Sequence, residues 1–169
     1  MRAQVGAATA RNVGARAKAA YNGTVPHDQA PFAALRAAAL GFAATEHARD
    51  ERGAVTASLL ALLPGGTVGF TPLDFGGEGV WVFLRQALVA LHARGARYFA
   101  CVLPGDVTEG GSTETGTRVG DEWLLVVVFG GGESELWVTE TGSSSAAWTE
   151  LGLSGGRLYE VVAPFVSAK

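Results

Sequence analysis

One serine stands in the G-x-S-x-G pattern of a hydrolase nucleophile, in Gly152-Leu153-Ser154-Gly155-Gly156. That chemistry needs a strand before the serine, a helix after it, and an acid and a histidine further along the chain. Residues 157–162 (RLYEVV) read as a strand instead, and no histidine or aspartate follows Ser154. The pentapeptide therefore reads as a turn in a glycine-rich chain. Other catalytic signatures are missing outright. Neither Lys18 nor Lys169 follows a glycine, so there is no Walker-type phosphate loop, and no G-x-G-x-x-G occurs. Zinc needs several Cys or His at close spacing. His27, His47 and His92 are isolated, and Cys101 lies in an apolar run where a buried small hydrophobe is expected. His47 and Glu51 stand four apart and read as a surface pair on one helix face.

Carboxylates offer the remaining chemistry. Asp106, Glu109, Glu114, Asp121 and Glu122 cluster in and after the stretch 104–120 (PGDVTEGGSTETGTRVG). Oxygen-rich loops can hold Ca²⁺ or Mg²⁺, with Asp106 or Glu109 as candidate ligands. The D-x-D-x-D-G spacing is missing, and a solvated acidic loop is the plainer reading. Asp74 and Glu78 in DFGGEG are candidates for an acid–base pair. Glu78 equally suits the start of the following helix, where a negative charge favours the dipole. No catalytic residue, metal site or cofactor is assigned.

The composition sets the frame for these residues. At 169 residues the chain has the length of one domain, or of a domain with an arm. A 48% hydrophobic content and a net charge of −3 exclude wholesale disorder. The single cysteine excludes a disulfide scaffold. No stretch of 18 apolar residues marks a membrane span, and no leucine- or valine-rich signal core marks secretion. A cytoplasmic location, or a particle assembled there, is expected. Charge is segregated along the chain. Residues 1–27 carry Arg2, Arg11, Arg16 and Lys18 without an acid, whereas residues 98–168 carry two arginines against ten acids. The first segment reads as a basic, Ala/Gly-rich arm and linker (1–27), followed by a single domain (28–169).

Within the domain, Phe32, Leu35, Ala39, Phe42 and Ala43 recur at helical spacing and predict a helix over 31–49. Two apolar segments around Pro64-Gly65-Gly66 predict a β-hairpin. Trp81, Leu84, Leu88 and Leu91 predict a second helix over about 80–93, stopped by Gly95. Strands are expected at 97–103, 122–129, 134–141, 148–151 and 157–162. The order is α-β-β-α-β-β-β-β. It implies an α+β, two-layer domain, with a mostly antiparallel sheet of five to six strands carrying two helices on one face. That element order is similar to profilin-like and roadblock-like folds. No motif of either family stands in the sequence, so no function is carried over.

The tryptophans are the sharpest surface signal. If the even positions of 122–129 face the helices, Trp123, Leu125 and Val127 face outward together with Trp137. Such an apolar stripe would be a contact surface, unless another layer of the same chain covers it. An arm without enough apolar surface of its own also needs something to lie on. The expected function is thus a non-catalytic structural or assembly protein. It would be a subunit of a homo-oligomer or of a larger particle, a virion included. Arg2, Arg11, Arg16, Lys18, Trp123 and Trp137 would form its interface, with other protein subunits as partners. Nucleic acid is a weaker partner for an arm with four charges and no interleaved aromatics. The alternative is a small-molecule- or metal-binding module, or an enzyme, using the acidic loop 104–122.

Overall fold

The computed structural model describes residues 30–49, 55, 57–73, 79–107, 113–114, 123–142 and 145–167. Their elements are α1 (Pro31–Arg49), β1 (Ser58–Leu62), β2 (Val68–Pro72), α2 (Gly79–Ala93), β3 (Tyr98–Val107), β4 (Thr113–Glu114), β5 (Trp123–Gly130), β6 (Glu133–Glu140), β7 (Thr149–Leu151) and α3 (Gly156–Val166). The strands form one antiparallel sheet in the order β2-β1-β3-β5-β6-β7, with β4 paired to β3. The class is α+β, and the helix–hairpin–helix–strands order is as the sequence implies. Among the described residues, no helix is long and apolar enough to cross a membrane.

Two features differ from expectation. The first is the layering, because helices cover both faces of the sheet. Leu59, Phe99, Cys101, Leu125, Val127 and Leu136 point to one side, where they pack with Leu84, Leu88 and Leu91 of α2 and with Leu158, Val162 and Phe165 of α3. Leu60, Ala100, Val102, Leu124, Val126 and Val128 point to the other, where they meet Phe32, Leu35, Phe42 and Ala43 of α1. Three layers result. The unbroken apolar run from Leu124 to Phe129 is the sequence trace of this arrangement. A strand buried on both faces has no polar alternate positions.

The second difference is residues 157–162, which lie in α3 and are not a strand. The β-branched Val161 and Val162 mask the helical spacing of Leu158, Val162 and Phe165, all buried. Pro164 lies inside this helix, near its C-terminal end. Pro104 likewise fails to end β3, which runs on to Val107. Beyond Val102 the strand has no β1 partner. A proline is tolerated where one side of a strand is unpaired.

Turn chemistry fixes the register of the central hairpin. Gly131 and Gly132 form a two-residue loop between β5 and β6, with φ of 63° and 90°. Both positive angles are what a type I′ turn requires. A Cβ on Gly130 would collide with the carbonyl of Arg97. Gly130 thus lets β5 lie against the start of β3.

Candidate protein interface

The two tryptophans expected to share an outer face do not share one. Trp123 pairs with Glu140, and Val126 pairs with Trp137. A two-residue loop makes the numbers of paired residues add to an odd total, so odd positions of β5 share a face with even positions of β6. Trp123 therefore packs, half-buried, against the α2/α3 side. Trp137 packs half-buried on the α1 side. Neither sheet face is bare, which removes the stripe of Trp123, Leu125, Val127 and Trp137 as a single surface. The covering layer is α1 on one side and α2 with α3 on the other.

Trp137 belongs to a polar tie between β6 and α1. Its indole Nε1 donates to Glu135 Oε2 at 2.8 Å. Arg36 Nη1 of α1 donates to both carboxylate oxygens of Glu135, at 2.9 and 3.2 Å. Further along α1, the buried His47 donates from Nε2 to the carbonyl of Glu140 at 2.8 Å. These contacts fix the helix along β6.

Among the described residues, the most exposed large apolar side chains lie elsewhere, on α2. Val82, Phe83 and Val89 are 59%, 44% and 54% exposed, against Leu84 and Leu88 at zero. The outward positions Val82, Gln86, Val89 and Ala93 recur at i, i+4, i+7 and i+11, which is one side of a helix. Arg85 and Gln86 are the only exposed polar side chains along α2. Tyr159 of the neighbouring α3 adds a further exposed ring, at 39%. The sequence signal for this surface is a helix with few polar residues, Arg85, Gln86 and His92. Attention to the buried stripe alone misses it.

The other candidates are dispersed. Cys101 is fully buried, and desolvation pushes its thiol up to about 12, so no thiolate nucleophile is present near neutral pH. Ser154 does precede a helix, unlike the sequence expectation, but no histidine follows it in the sequence. Asp106 and Glu114 are backbone partners in the β3–β4 pairing. Asp74, Glu78, Glu109, Asp121 and Glu122 lie outside the described residues, as do His27, Glu51, Arg2, Arg11, Arg16 and Lys18. Among the described residues, no group of three or more His, Cys, Asp or Glu is placed to hold a metal ion.

No family model matches the chain, and no curated protein or solved structure matches it either. The likeness to profilin-like and roadblock-like folds stays one of element order.

Proposed function

We propose that the protein is a non-catalytic assembly subunit that packs against other protein chains, copies of itself first, in a homo-oligomer or larger particle. The outward side of α2 carries this reading. A surface helix ordinarily turns charged and polar residues to water. Here Val82, Phe83 and Val89 take those positions, with Ala90 and Ala93 beside them. Covering such side chains is favourable by roughly 25 cal/mol per Å² of apolar area, and exposed apolar side chains rimmed by polar ones, here Arg85 and Gln86, mark contact sites. The arm residues Arg2, Arg11, Arg16 and Lys18 complement the acidic C-terminal half in charge, and in this reading they add contacts to a neighbouring subunit. Light scattering on the purified chain tests the proposal. The wild type is expected above the mass of one chain, and Val89→Lys is expected to shift it toward one chain while keeping the wild-type circular dichroism spectrum. An unchanged oligomer in Val89→Lys, with Phe83→Asp equally silent, would remove α2 from the contact.

A further inference from the structure

The α2 segment and the β6–β7 segment carry opposite charge, although Arg36 of α1 pairs with Glu135 on the β6 face and Glu160 of α3 lies on the α2 side of the sheet. From Gly79 to Gly105 the chain carries Arg85, Arg94 and Arg97 and no carboxylate. Arg85 and Arg94 are exposed beside and just beyond the apolar side of α2. From Glu133 to Leu151 the chain carries Glu133, Glu135, Glu140 and Glu150 and no Lys or Arg. Strand register sorts these acids by face. Glu133, Glu135 and Trp137 alternate along β6 and so share a face, and Glu150 of β7 is the register partner of Trp137. Trp137 packs on the α1 side, as does Trp148 just before β7. Glu133 and Glu150 are exposed, and both tryptophans are half-buried. The sheet thus ends, on its α1 side, in an acidic patch with two partly open indoles. The arginine-flanked apolar helix lies on the opposite side.

We infer that assembly is head to tail: α2 of one copy docks on the acidic, tryptophan-bearing β6–β7 patch of the next. This rests on the assembly reading above and names its partner surface. Phe83 and Val89 meet Trp137 and Trp148, and the guanidinium groups of Arg85 and Arg94 meet the carboxylates of Glu133 and Glu150. A two-fold contact of α2 on α2 would set arginine against arginine and gain no charge pairing. A contact between two different patches is heterologous, and it continues into a ring or an open chain of copies.

Mixing two blocked variants tests this. Phe83→Asp disables the helix side, and Glu133→Arg/Glu150→Arg disables the acidic patch. All three positions are exposed, and a circular dichroism spectrum like that of the wild type confirms folding. If Phe83→Asp misfolds, Arg85→Glu replaces it. Each variant alone is expected to have the mass of one chain. Their equimolar mixture is expected to have the mass of two, because one intact α2 and one intact patch remain and the chain of contacts stops there. A wild type that assembles while the mixture stays at one chain overturns the head-to-tail inference and leaves the assembly reading standing. The head-to-tail inference fails in the same way if either variant alone keeps the wild-type mass. A wild type of one chain at every concentration overturns both.

Discussion

Glu135 accepts hydrogen bonds from the guanidinium of Arg36 and from the indole of Trp137. Arg36 is 37% exposed and Glu135 18%, so solvent screens much of the ion pair. The indole bond to a charged acceptor is the stronger part. Glu135→Ala should therefore lower stability by about 1–2 kcal/mol, read as a lower urea midpoint at unchanged m-value. Arg36→Ala should cost less, since Trp137 keeps its acceptor. Cys101 makes a second prediction of this kind. Its thiol is buried and raised to about 12, so the charged form is scarce across the neutral range. Iodoacetamide should leave the native protein unlabelled near pH 8 and label it fully in denaturant, whereas native labelling would mean that the β3 core opens. Burial of Cys101 was legible from its place in an apolar run. The Arg36–Glu135–Trp137 tie was not, because it joins residues 99 positions apart through a register that no local pattern reveals.

The central hairpin gives a graded prediction at the level of the element. Gly132→Ala puts a Cβ into open space at φ 90° and should cost about 1 kcal/mol of backbone strain. Gly131→Ala also presses on the Tyr98 ring, which can move, and should cost somewhat more. Gly130→Ala meets the Arg97 backbone, which cannot move cheaply, and should be the most damaging of the three. Thermal melts in that order check the hairpin geometry, and a neutral Gly130→Ala would contradict it. Local signals in the sequence made α1, α2, the Pro-Gly-Gly hairpin and the glycine turns legible. Phe32, Leu35 and Phe42 on α1 and Leu84, Leu88 and Leu91 on α2 are buried as their spacing implies. The failures have separate causes. Layer number depends on which side a neighbour covers, and the β-branched Val161 and Val162 hide the helical spacing of α3. Loop length decides the face parity of β6, and a third helix covers what a two-layer sheet would expose. The outer side of α2 lay in plain view in the sequence as Val82, Phe83 and Val89, yet only the packing of its other side on the sheet shows that these residues are left over.

For the whole molecule, the proposed assembly would draw on an apolar helix side, an acidic sheet end and the basic segment 1–27. The charges of the chain are divided, since the net of −3 hides an arm of +4 against a C-terminal half dominated by acids. Added salt should loosen the assembly, because pairs at an interface rim are screened over roughly 8–10 Å at physiological ionic strength. Deleting residues 2–22 should weaken it further, read as a higher dissociation concentration in sedimentation. A deletion without effect would take the arm out of the contact and leave α2 and the β6–β7 patch as its surfaces. The most direct measurement is the mass of the wild-type chain in solution as concentration rises, set beside Phe83→Asp at the same concentrations. The wild type should climb above one chain and the variant should stay at one. A wild type that holds the mass of a single chain throughout would contradict the reading of this protein as an assembly subunit.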